Sequence, residues 1–476
     1  MTGLGATGAA TLLGGTSPAS AAPVDVGQWA APVQIGGQAI HAVLMHNGEV
    51  LFFSYIEGNP AVDHTSYVGT WDYRTGMSRQ APLGYERDIF CCGMNSLPDG
   101  RQFVSGGHDP HTGKRSDPNG VLETDLYDPD TRSWSRGPLM SESRWYPTNM
   151  GMPSGRTLII GGGEENSKLS VKIDSYDPGT NTRTTLPATA NRAVGMYPRL
   201  HLGPDGRIVK TGPARRVDFF DPASDSWSQG PSMSFGARQA GGSVLLSGGD
   251  RVLAFGGRTT SSAQPTASAE ILNLTGTPRW QATGSLRFAR AHANGVVLPD
   301  GTVLAVGGGQ SGTITGPQRT AELYDPATGR WTLMASQVAG RMYHSTALLL
   351  PDGRVFSGGQ SGPHANTVEL FSPPYLFRGA RPTISSASAT ASRGGSIALS
   401  SGEAADVRRV ALIKPGAVTH QVNTDQRHLF LTFTRSGDNL TAQLPANTTL
   451  TPPGYYMLFV LNALGVPSVA KWVRLT

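Results

Sequence analysis

The 476-residue chain holds 61 glycines and 34 prolines, and only 15% of it is charged, a mix that fits a turn-rich, all-β protein better than a helical or disordered one. Its length exceeds one ordinary core, so several domains or one large repeat domain are expected. The net charge of +5 and pI near 9.2 arise from scattered Lys and Arg with no basic block, which gives no support to nucleic-acid binding and points only to weak attraction to anionic polymers or cell walls.

Residues 4–22 are mostly Gly, Ala, Thr, Leu and Ser and end in Ser-Ala-Ala before Pro23. This is the pattern of the apolar and cleavage regions of a secretory signal, although no Lys or Arg precedes Arg74. Residues 1–23 are therefore read as a leader, and a secreted or cell-surface protein is expected. No run of 18 apolar residues occurs, so no transmembrane segment is expected. The two cysteines, Cys91 and Cys92, are adjacent and close too tight a ring to staple a fold, which excludes a disulfide framework. Two thiols at one place in a large exported protein point to chemistry there; the plainer alternative is a pair of small buried hydrophobes.

Internal repetition is the strongest signal. An apolar run, a turn of the Pro-Asp-Gly-Arg type and a second apolar run often ending in Gly-Gly recur with turn glycines at 48, 100, 155, 206, 249, 301 and 353. Tyr-Asp-Pro or a variant and then Trp follow in several repeats, as in Tyr127 to Trp134, Phe220 to Trp227 and Tyr324 to Trp331. A period near 50 with this punctuation is the kelch pattern of four antiparallel strands per propeller blade. Seven turn glycines predict seven blades over residues 24–375, with Trp29 to Ile35 as an extra strand that completes the last blade and closes the ring. No helical periodicity follows the Gly-Gly pairs, so they are not phosphate loops. The punctuation changes near Arg381. Residues 381–476 read as short alternating strands of a separate, immunoglobulin-like β-sandwich.

Nine positions before the turn glycines stand Cys91, Tyr146, Tyr197, His292 and His344. Equivalent positions in successive blades lie at one height, so these side chains are expected to surround the propeller axis near one mouth, where ligands are commonly held. Tyr343 is one residue out of step. Neighbours in a regular strand face opposite ways, so Tyr343 and His344 can share a site only at an irregular start of their strand. By the same alternation, Trp145 is expected to turn away from Tyr146.

Three motifs, Phe90-Cys91-Cys92-Gly93, Arg341-Met-Tyr-His-Ser-Thr346 and Val418-Thr-His-Gln-Val-Asn-Thr-Asp-Gln-Arg427, resemble those of the copper-radical oxidases, the group of galactose oxidase and glyoxal oxidase. The resemblance covers most of the chain after residue 24. It implies a single copper ion held by Tyr146, Tyr343, His344 and His420, with His420 supplied by the second domain. It also implies a protein-derived radical cofactor in which Cys91 is joined to Tyr146 by a thioether. Two imidazoles and phenolate oxygens suit Cu(II). One copper carries one electron, and the radical supplies the second that alcohol oxidation requires. Tyr343 is the expected general base.

Galactose oxidase stacks a tryptophan on its cross-linked tyrosine from a stretch after a Gly-Gly; here Gly161-Gly-Gly-Glu164-Glu165 carries acids. The Arg144-Trp-Tyr-Pro147 run is closer to the glyoxal oxidase branch, so small aldehydes taken as hydrates, such as glyoxal or glycolaldehyde, or primary alcohols are the expected substrates with O2, and H2O2 the product. Galactose or another carbohydrate alcohol is the alternative. Tyr197, His292, Trp145 and Glu164 are candidate pocket residues. A monomer is expected, with a cell-wall or extracellular glycan as a candidate partner. A different class is a secreted kelch module that binds a glycan without catalysis, needing neither copper nor Cys91 and Tyr146. The repeated boxes of sialidase propellers are absent.

Overall fold

The computed structural model describes residues 21–55, 65–108, 119–164, 168–261, 263–310, 315–360 and 364–476. Most of the expected leader and Glu165 lie outside these residues. Seven antiparallel sheets form the blades of a β-propeller, and an eighth set of strands forms the C-terminal sandwich. The first strand of each blade is innermost: His41–Leu44, Gly93–Ser96, Thr148–Gly151, Leu200–Leu202, Gly242–Leu245, Ala291–Val297 and Ser345–Leu349, with most neighbours in contact around the axis. The expected closing strand is two short pieces, Gln28–Trp29 and Val33–Gln34, both paired antiparallel with Thr367–Ser372 of the last blade.

Each of the seven turn glycines has φ between +75° and +99° and donates its N–H to the carbonyl three residues earlier. Only glycine adopts that backbone without strain, which is why the repeat is so legible. A second repeated device was not read from the sequence. Arg144, Arg238, Arg290 and Arg341 are fully buried, and each donates to a carbonyl of its own blade's Gly-Gly stretch. Asp174, Glu270, Glu322 and Glu369 face them, and the same carboxylates accept backbone N–H groups. Each carboxylate thereby meets several donors, the condition under which a buried ion pair is tolerated. Trp134, Trp227 and Trp331 are only partly buried and donate their indole N–H to Ala81, Ala190 and Gly284 of the preceding blade.

In the C-terminal domain the strand Arg427–Ser436 pairs over its first half with Arg409–Lys414 and over its second with Asn439–Gln443. It therefore passes from one sheet of the sandwich to the other, around a core that includes Ile397, Val410, Leu412, Leu440 and Tyr456. A hairpin of this domain, Ala417–Thr419 and Val422–Asn423, enters the propeller and extends the first blade by pairing with His41–Leu44. Its descending leg is clamped by bonds from Thr424 to Met94 O, from Ser96 N–H to Asp425, from Arg427 to Leu202 O, and between Gln426 and Val297.

Candidate metal centre

The ring positions share a backbone state that the sequence does not announce. Cys91, Tyr146, Tyr197, His292 and His344 all have φ between +41° and +70°, and so does Ala240 at the same position of the fifth blade. Left-handed backbone is costly for these residues, and its clustering at one place marks stored strain. Hydrogen bonds to the preceding blade hold it: Tyr146 N–H to Cys91 O at 2.8 Å, Tyr197 N–H to Tyr146 O at 2.7 Å, and His292 N–H to Ala240 O at 2.7 Å.

This geometry breaks strand alternation. The last blade's inner strand begins only at Ser345, so Tyr343 and His344 lie before it, and their rings stack at 3.9 Å. Both join one cluster, as their irregular position allows. The expectation that Trp145 turns away is overturned: its ring stacks on Tyr146 at 4.0 Å and 13°. The cause is the positive φ of Tyr146, together with the pairing of Trp145 to Gly163. Tyr197 stacks on Tyr146 too, at 4.4 Å and 25°. Two such rings cannot share one face without overlapping, so Tyr146 is sandwiched between them. Tyr197 is fixed by donating its hydroxyl to Cys92 O at 2.9 Å.

His420 occupies the two-residue turn of the inserted hairpin, and both turn residues, His420 and Gln421, have positive φ, the backbone of a type I′ turn usually filled by Asn-Gly. Thr419 Oγ1 lies 2.6 Å from His420 Nδ1, which leaves Nε2 facing the ring. The Tyr146 hydroxyl is 2.6 Å from the Tyr343 hydroxyl and 3.2 Å from His420 Nε2. The imidazoles of His344 and His420 meet edge to face at 4.7 Å. Cys91 Sγ is 4.0 Å from His420 Nε2, and Cys91 packs against Tyr146.

Burial pushes the phenols of Tyr146 and Tyr343 and the thiol of Cys91 well up, and the Cys91–Tyr146 contact raises the phenol further. Burial also pulls His420 far below its usual range, aided by His344, His41 and His292. Neutral imidazole is the form that coordinates a metal, while a buried phenol ionises only beside a strong cation. Among the described residues no group of three His, Cys, Asp or Glu is suited to a metal, so any ion here must use the phenol oxygens. Two imidazoles and two converging phenols fit copper(II) and lack the carboxylates that calcium or magnesium require.

The remaining candidates divide. His292 packs edge-on against Tyr343 at 5.3 Å. Glu164 pairs with the exposed Lys168 at 3.0 Å, and among the described residues no hydrogen bond or ring contact joins it to the cluster. His41 was missed: its Nε2 accepts the Cys91 N–H at 3.0 Å, and it stacks on Phe53. The signal was available, since it lies two residues past Ala39, the first blade's ring position.

Known proteins agree with this architecture. Residues 381–475 match the family described as galactose oxidase-like, Early set domain, and residues 232–372 match glyoxal oxidase N-terminus. A galactose oxidase of Gibberella zeae is 30% identical over 95% of this chain and 71% of its own length. Aldehyde oxidase GLOX of Vitis pseudoreticulata is 28% identical over 83% of each chain. A solved fungal alcohol oxidase in complex with copper superposes with a TM-score of 0.84 at 28% identity, covering 95% of this chain and 100% of that one. With its seven blades, its C-terminal domain and these relatives, the chain belongs to the copper-radical oxidases, the family of galactose oxidase and glyoxal oxidase.

Proposed function

We propose that this oxidase converts small aldehydes, taken as their hydrates, or primary alcohols, reducing O2 to H2O2. The observation that carries it is the convergence of Tyr146, Tyr343, His344 and His420 on one point, with Cys91 against Tyr146. Those four residues would hold copper, which when bound would accept one of the two electrons removed from substrate. The other would be accepted by the oxidised Tyr146, joined to Cys91 through a thioether whose sulfur, with the two stacked rings, delocalises the unpaired electron. Tyr343 takes the substrate hydroxyl proton, and the Tyr146 oxygen takes the hydrogen atom from the adjacent carbon. A primary alcohol plus O2 gives an aldehyde and H2O2; a hydrated aldehyde plus O2 gives an acid and H2O2. His292 and Tyr197 border the reacting oxygens, and Trp145 shields the radical ring.

Small aldehydes are favoured because the stacking tryptophan precedes Tyr146 directly and does not come from the Gly161 stretch. A galactose-type substrate is the second reading, supported by the relative named galactose oxidase. The composition of residues 4–22 supports export, and no described helix is long and apolar enough to cross a membrane. Copper loading followed by a peroxide assay over aldehydes, alcohols and galactose tests the activity. Tyr146→Phe should abolish turnover while copper is retained, and the wild-type Cys91 and Tyr146 peptides should weigh two hydrogens less than the unlinked pair. Normal turnover in Tyr146→Phe ends the mechanism.

A further inference from the structure

A cleft of about 860 Å³ opens where the C-terminal domain meets the turns of the fifth and sixth blades. It reaches Gly301, and the inner strand Ala291–Val297 leads from that turn back to His292, so about 20 Å of sheet separates the cleft from the metal centre. Four arginines line it: Arg251, Arg378, Arg408 and Arg409. Arg251 and Arg408 stand 3.8 Å from Asp250 and Asp406, too far for a hydrogen bond. Arg409 donates to Asp300 O at 3.4 Å and lies 4.8 Å over the ring of Phe430. Among the described residues no carboxylate lies within 4 Å of the guanidinium of Arg378 or Arg409, and both residues are exposed.

The walls are fixed. Asn462 Oδ1 accepts the N–H groups of Leu464 and Val466, and its Nδ2 donates to Ala380 O, which holds Leu464 out at the rim, 57% exposed. Phe430 packs so close to the turn of the sixth blade that a Cβ at Gly301 would lie 3.1 Å from its ring. Asp300 and Asp325 also line the cleft, each held by its own turn: Asp300 accepts the N–H and hydroxyl of Thr302, and Asp325 accepts the N–H of Ala327 and the hydroxyl of Thr328.

Cations and acids side by side decide the ligand class. A chain dense in phosphate or sulfate would set its own charge against Asp300 and Asp325. A sugar acid meets the arginines through its carboxylate, in the planar geometry that a guanidinium matches, and donates its hydroxyls to the aspartates. Leu323 and Leu464 supply apolar surface for the C–H face of a ring, and the volume is that of a site for roughly two or three sugar units. We propose that this cleft binds an acidic saccharide whose carboxylates pair with Arg378 and Arg409. It thereby anchors the oxidase on an acidic polysaccharide, with the metal centre at the other end of the propeller. The binding does not rest on the proposed activity.

Calorimetric titration of the whole chain with trigalacturonate, neutral cellotriose and tripolyphosphate tests this. Wild type is expected to bind trigalacturonate, to ignore cellotriose and to hold tripolyphosphate about tenfold more weakly. Arg378→Gln combined with Arg409→Gln should weaken trigalacturonate about tenfold or more. If that variant melts early, Leu464→Asp carries the comparison, because it sets a repelling carboxylate on the exposed rim and should weaken binding in the same direction. No binding by wild type, or equal affinity in wild type and the variants, overturns the proposal. Tripolyphosphate bound as tightly as trigalacturonate also overturns it, by reducing the cleft to an unselective anion patch. A crystal soaked in trigalacturonate should show carboxylates on Arg378 and Arg409, and sugar density only elsewhere refutes the site.

Discussion

His428 sits where the C-terminal domain is bolted to the propeller, and its protonation should loosen that joint. Its Nε2–H donates to Pro299 O at 3.2 Å, so its Nδ1 accepts from the Ser247 hydroxyl at 2.8 Å, and the ring is completely buried. Burial pulls it to about 4, against about 6.5 in an unfolded chain. The unfolded state therefore binds the proton first. The stability tied to the neutral ring is fully present above pH 6.5, falls as pH drops, and is gone below pH 4. At about 1.36 kcal/mol per unit, the whole loss is about 3.4 kcal/mol, and about 2 kcal/mol of it is reached by pH 5. Urea unfolding of wild type and His428→Gln at pH 7.5 and 5.0 isolates this share, because contributions from the other buried histidines cancel in the difference. The variant should lose about 2 kcal/mol less than wild type between the two pH values. Equal losses in both proteins would refute the linkage.

Glu322→Ala strips the partner from the fully buried Arg290 and should cost about 3–5 kcal/mol, read as a large fall in melting temperature; a neutral result would mean water satisfies the guanidinium. Gly100→Ala sets a Cβ on backbone with φ +99°, 2.6 Å from His46 Nδ1 and 2.9 Å from the Tyr455 ring, and should destabilise by about 1–3 kcal/mol. Unchanged melting would show that this turn relaxes freely. Trp145→Leu removes a stacked ring worth about 0.5–1.5 kcal/mol, and because the stack favours the radical over the phenol, a redox titration should place the Tyr146 potential higher, by at most about 65 mV. An unmoved potential would deny the stack any part in radical stability.

Much of this molecule was legible because its repeat is written in residues with one local use. A glycine at each turn is demanded by positive φ at that turn, and no distant contact is needed to predict it. Counting back from those glycines placed Cys91, Tyr146 and His344 at one height, since equivalent blade positions are related by rotation about the axis. The motif around His420 pointed to the second domain as the source of the remaining imidazole. What the tertiary structure decided is how these side chains turn. Hydrogen bonds from Tyr146 and Tyr197 to the preceding blade hold the ring residues in left-handed backbone, which cancels the alternation that would have sent Trp145 away. The buried arginine–acid pairs were invisible for a related reason. Each depends on a partner in a different strand, and period and propensity describe only what a residue asks of its own strand.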